Sequence, residues 1–152
     1  MRIGLQRYPR LLEAAYECSH TLLRPFRRWM VPGGGLERIF VALEKVFKGA
    51  IFDCRMCGDC VLHRSGMTCP MTCPKNMRNG PCGGVNEKGN CEIIPEMKCV
   101  WFQAWERSKK MRVYGHEILS ILPPQNRQLQ CSSAWINHFS DRAVKTPTGW
   151  GK

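Results

Sequence analysis

Eight of the chain's ten cysteines fall between residues 54 and 99: Cys54, Cys57, Cys60, Cys69, Cys73, Cys82, Cys91 and Cys99. This stretch is rich in glycine and proline, has few large apolar residues, and shows no sustained helical or strand period. It is expected to form loops and single turns, with bonds to sulfur supplying the folding energy and disorder in their absence. Four thiolates satisfy one iron–sulfur cluster or one zinc ion, so eight make two complete sets. Cys18 and Cys131 stand apart and read as incidental thiols.

The run Cys54-x-x-Cys57-x-x-Cys60 curls the chain so that three sulfurs face one centre, while backbone N–H groups of the same turn offset their charge. A fourth thiolate then arrives from elsewhere, and a Cys-Pro dipeptide suits that role because proline stiffens the exit and has no N–H. Two follow, Cys69-Pro70 and Cys73-Pro74. The pattern is that of a bacterial ferredoxin ligand run, except that the first Cys-Pro comes nine residues after Cys60 rather than four, and no second triple run exists. One grouping joins Cys54, Cys57 and Cys60 with a remote cysteine, Cys73 or Cys99, and leaves the other four for a second cluster. The set of eight is better defined than its division. In Gly80-Pro81-Cys82-Gly83-Gly84 the glycines allow close backbone approach to a sulfur and a nest of N–H groups. Zinc is the alternative, with Cys54/Cys57 and Cys69/Cys73 as paired knuckles, but it leaves Cys60 beside a filled site. His63, alone in the segment, reads as a surface residue.

Charge follows the same division. The chain is +11 overall, distributed as +5 over residues 1–50, +1 over 51–99 and +5 over 100–152. A filled four-thiolate site carries about −2, so two of them would turn the centre to about −3 between basic flanks. Part of the basic excess can therefore be read as compensation for buried anionic clusters, the alternative being a solvated basic surface. A nucleic-acid partner is not expected, because the aromatics are not interleaved with the basic residues as stacking platforms are.

Residues 1–50 read as a helical docking segment. Leu11, Leu12, Ala15, Leu22 and Leu23 make a ragged stripe. Leu36, Ile39, Phe40, Leu43, Val46 and Phe47 make a regular one, on a helix that Gly49 should end. Pro32-Gly33-Gly34-Gly35 separates the two. The basic, aromatic stretch Arg24–Met30 suits either a snorkelling helix end or contact with a membrane surface or partner. Helix is expected again over 98–118, weakening at Gly115, and an extended basic and aromatic tail after Pro124. The fold class is small and mainly α, with an irregular cysteine-rich domain at 51–99 and a helix plus tail at 100–152. No apolar run is long enough to span a bilayer, and Arg7, Arg10 and Glu13 interrupt any signal-peptide core, so a cytoplasmic location with reduced thiols is expected.

The string from Cys54 to Gly84, with Cys-Pro-Lys-Asn-Met-Arg-Asn-Gly-Pro-Cys-Gly-Gly at its end, continues to Cys91 and Cys99-Val-Trp. It resembles the cysteine-rich C-terminal domain, or small subunit, that accompanies methylenetetrahydrofolate reductase. The resemblance covers about residues 50–105. It implies two [4Fe-4S] clusters on the eight cysteines and a partner, a flavin-containing (β/α)₈ barrel that reduces methylenetetrahydrofolate. Electrons would pass between the clusters and that flavin in a hetero-oligomer. In agreement, the chain has no glycine-rich nucleotide fingerprint, no phosphate loop and no paired acids, so a catalytic site of its own is not expected. Trp101, Trp105, Trp135 and Trp150 are candidate anchors for the partner.

Overall fold

The computed structural model describes residues 4–120, 122 and 124–143. Among them four α-helices enclose an irregular middle: α1 (Pro9–Leu23), α2 (Gly35–Phe52), α3 (Val100–Ser108) and α4 (Ala134–Phe139). The only extended pairings described are isolated antiparallel bridges, Val85 to Cys91 and Asn90 to Lys98. The chain is thus small, mainly helical and irregular through its cysteines, as its sequence implies. No helix is long and apolar enough to cross a membrane among the described residues.

Pro9 begins α1, where its missing N–H costs nothing. A 3₁₀ turn at Arg24–Arg28 and the glycines at 33–35 reverse the chain into α2. Gly49 does not stop this helix. It lies within the helix, its carbonyl accepts the Asp53 N–H at 3.0 Å, and Asp53 itself ends α2 in the left-handed region (φ 54°). Aspartate tolerates that conformation better than most side chains, and a lone glycine inside a helix is only a modest cost.

The core gathers Leu12 of α1, Phe52 of α2, Met111, and Leu62, Met67 and Cys69 from the cysteine-rich stretch. That stretch contributes more apolar packing than its composition suggests. Val61, Leu62 and Met67 are all buried because the helices close over them. Ser65 ties its own turn together, donating to the carbonyls of Val61 and Thr68 at 2.9 and 2.7 Å.

The third helix is shorter than its apolar pattern indicated. The Glu13 carboxylate accepts the N–H groups of Arg112, Val113 and Tyr114 at 2.8–2.9 Å. Those donors are drawn away from any continuing helix, which ends at Ser108, and Gly115 starts a separate 3₁₀ turn. Burial pushes the Glu13 carboxyl up, but the three N–H donors and Arg10 outweigh it, and the net shift is downward.

The region expected to be an extended tail also builds core. Leu129 and Ile136 are buried, residues 134–139 are helical, and Ser133 caps them by accepting the Ile136 N–H at 3.3 Å. Among the candidate anchors, Trp101 is a core residue whose indole donates to the Met77 carbonyl at 2.6 Å. Trp105 is exposed with Lys109 over its ring, Trp135 is half-buried, and Trp150 lies outside the described residues.

Candidate functional site

Four cysteines line one cavity at the centre of the molecule: Cys54, Cys57, Cys60 and Cys69. The end of α2, the triple run and the Cys69-Pro70 turn wall it on three sides, and Ser132 and Ala134 of the C-terminal segment close the fourth. The remote cysteine facing the triple run is therefore Cys69, not Cys73 or Cys99. The reason is local. Pro70–Thr72 forms one 3₁₀ turn, and the Cys73 N–H bonds back to the Pro70 carbonyl at 3.0 Å, so the chain leaves the cavity at Cys73.

Two glycines and two ion pairs hold the segments around the cavity. Gly58 has φ +72°, and a Cβ there would lie 1.8 Å from the Leu129 carbonyl oxygen. The triple run is pressed against the C-terminal segment at that point. Asn137 donates to the Gly58 carbonyl at 2.8 Å, and the Cys131 N–H to the Met56 carbonyl at 2.8 Å. Gly66 makes a similar close approach to the Ala104 carbonyl. Asp59, inside the run, pairs with Arg78 at 2.5 Å, with the side chains 8% and 5% exposed. Burial pushes the Asp59 carboxyl up, and Arg78 pulls it back. On the opposite wall Lys48 bonds to Glu44 at 2.6 Å. Glu44 also accepts from the Ser133 hydroxyl at 2.6 Å and from the N–H groups of Ala134 and Trp135 at 3.2 and 3.1 Å, so one carboxylate locks α2 to the start of α4.

The cavity's electrostatics centre on Cys60. Burial pushes up Cys54, Cys57 (to about 11) and Cys69 (to about 12), and the nearby Cys60 adds to each. These thiols are neutral at ordinary pH unless an electrophilic metal takes their protons' place. The Met56 N–H lies 3.4 Å from the Cys54 sulfur. A Met71 N–H bond and the Lys48 and Arg78 cations favour thiolate at Cys69, Cys54 and Cys57 respectively. Burial alone would lower Lys48, but Cys60, Glu44 and Cys54 raise it on balance, so it stays charged beside the sulfurs.

The other four cysteines, Cys73, Cys82, Cys91 and Cys99, do not line this cavity. Cys91 and Cys99 are tied into the paired segments by Cys91 N–H to the Met97 carbonyl (2.9 Å) and Cys99 N–H to the Gly89 carbonyl (3.0 Å). Cys82 is exposed, in a turn where the Gly84 N–H points to its sulfur at 3.4 Å. The Lys75–Glu92 ion pair and the Trp101–Met77 bond join the Cys73 loop to the segment of Cys91 and Cys99. Cys18 and Cys131 are both exposed.

Sequence reasoning passed over Lys48, Glu44, Asp59, Arg78 and Gly58. Arg78 and Gly58 stood in plain view within the cysteine string, but nothing in the pattern said which partner each would meet. His63 is not a surface residue. Its ring stacks on Tyr16 at 5.1 Å, and Tyr16 in turn stacks on Trp135 at 5.4 Å behind Cys60. Burial drives His63 down to about 4, so it is neutral. Glu117 approaches it at 3.5 Å, but the shift is downward, and burial decides its charge.

Four thiols around one cavity are a donor set of the type that holds either an iron–sulfur cluster or a zinc ion. A tetrahedral zinc site brings its thiolates to about 3.8 Å of one another, from a Zn–S bond of about 2.3 Å. Among the described residues, no group of three or more His, Cys, Asp or Glu side chains could hold a single metal ion. The four thiols line one cavity. The sequence model for the family described as "Methylene-tetrahydrofolate reductase C terminal" matches residues 34–128. The chain belongs to that family. The family's span takes in α2, all eight clustered cysteines, α3 and Arg78, while α1 and α4 lie outside it. No curated protein and no solved structure matches the chain.

Proposed function

We propose that this chain is the iron–sulfur subunit of a methylenetetrahydrofolate reductase-type complex in the cytoplasm, passing electrons to or from a flavin-containing barrel subunit. The single observation that carries the reading is the cavity ringed by Cys54, Cys57, Cys60 and Cys69 in a chain of this family. These four cysteines would hold one [4Fe-4S] cluster, and Cys73, Cys82, Cys91 and Cys99 a second. Such a group supplies one-electron chemistry without a substrate site of its own.

The chain's residues do the rest. Apolar walls from Phe52, Val61 and Leu62 keep water from the sulfurs. Lys48 and Arg78 offset the thiolates' negative charge, and the Met56 N–H stabilises one sulfur directly. Each of these raises the tendency to accept an electron. The partner's seat is supported by an apolar groove between α1 and α2, lined by Leu22, Phe40, Leu43 and Phe47 among others. The α2 stripe that a core would normally cover is turned outward, with Val46 65% and Phe47 62% exposed. An apolar helix face of this kind marks an interaction site.

Purification without oxygen, with iron, sulfide and zinc quantified and the barrel flavoprotein co-expressed, tests the reading. Broad absorption near 400 nm that bleaches with dithionite, and co-elution with the flavoprotein, are expected. Colourless protein containing zinc would replace the electron relay with a zinc-shaped docking unit.

A further inference from the structure

We infer that the turn between α1 and α2 is a docking site for an anionic phospholipid surface. The observations are separate from the sulfur-lined cavity, and the turn lies ahead of residues 34–128, the span shared with the family.

Arg24, Arg27 and Arg28 fall within one 3₁₀ turn, and together with Thr21 and Pro25 they line a single open cavity. All three arginines are exposed, and none makes an ion pair among the described residues. No Asp or Glu occurs between Glu17 and Glu37. The turn is therefore a concentrated positive site with nothing on its own element to neutralise it. The open cavity between three guanidinium groups suits phosphate oxygens, which arginine grips in bidentate fashion.

Charge alone would serve any polyanion. The apolar residues beside it favour a membrane. Trp29 is 71% exposed and Phe26 49%, packed edge to face on each other at 6.1 Å, with Leu22 and Val31 also exposed on either side. Tryptophan and phenylalanine beside arginine are what an interfacial segment presents at headgroup depth. An acidic protein face would leave Trp29 and Phe26 with no apolar partner, whereas the acyl boundary accepts both.

The test is flotation of the full chain with vesicles of phosphatidylcholine alone and of phosphatidylcholine mixed with phosphatidylglycerol. Binding is expected only to the mixed vesicles and should be released by salt. Each arginine near an anionic surface contributes about a five-fold factor, so Arg24→Gln/Arg27→Gln/Arg28→Gln should weaken binding about 100-fold. These side chains are exposed, and an unchanged circular dichroism melt checks that the variant folds. Trp29 emission, read as the difference between the chain and Trp29→Phe, should shift to the blue on mixed vesicles. Equal binding to both vesicle types, no binding to either, or full binding by the triple variant would each overturn the inference. So would displacement by polyglutamate with no Trp29 shift, which would assign the turn to an acidic protein instead.

Discussion

Gly58 is the sharpest probe of how the cysteine run is held. Replacing it with alanine has two costs that the geometry separates. Its φ of +72° lies in the left-handed region, where a Cβ costs about 1–2 kcal/mol. That Cβ would also stand 1.8 Å from the Leu129 carbonyl oxygen and 2.6 Å from its carbon. Backbone cannot rotate aside as a side chain does, so the run and the C-terminal segment must part. Overpacking of this kind costs about 1–3 kcal/mol. The total for Gly58→Ala is therefore about 2–5 kcal/mol. Gly33 serves as the control, because its φ is +80° but no atom lies within 4 Å of its Cβ position. Gly33→Ala should cost only the conformational part, about 1–2 kcal/mol. Urea unfolding of both variants measures the difference, and iron content after anaerobic purification reads its effect on the cavity. Equal costs for the two substitutions would mean that the C-terminal segment does not press on the cysteine run, and the account of the fourth wall would fail.

Three further outcomes are expected. Cys69→Ser should lose about half of the bound iron and sulfide with the signal of the cluster held by the triple run, whereas Cys73→Ser should spare that signal; electron paramagnetic resonance of the reduced protein distinguishes them. Val46→Asp and Phe47→Asp should leave the unfolding free energy within about 0.5 kcal/mol, because both side chains are already in water, yet abolish co-elution with the barrel flavoprotein. Stability should fall with acid. His63 is held down at about 4 when folded against 6.5 when free, so the unfolded chain takes up a proton first as pH drops. The contribution is fully present above about pH 6.5 and lost toward pH 4, amounting to about 3 kcal/mol. His63→Phe, which keeps the stack on Tyr16, should flatten that part of the pH profile of urea midpoints.

Much of the molecule is legible in the sequence. Sulfur spacing is a local property, so Cys54-x-x-Cys57-x-x-Cys60 stands out as three thiols within seven residues whatever surrounds them. Helical periodicity is equally local, so the α2 stripe and the turn at Gly33–Gly35 stood out. The family string was legible for the same reason.

Tertiary structure alone decided what those local features meet. An amphipathic period says that a face is apolar, not what covers it, and the α2 face is left bare while the helix's polar Glu44 is buried as a cap for α4. The third helix stopped early because a carboxylate about a hundred positions earlier in the chain took its N–H groups. The fourth cavity cysteine is Cys69 because one 3₁₀ turn directs Cys73 away. Residues far apart in the chain can be paired only once the backbone has closed, and at Gly58 and Arg78 that closure, more than the pattern of thiols, shapes the site.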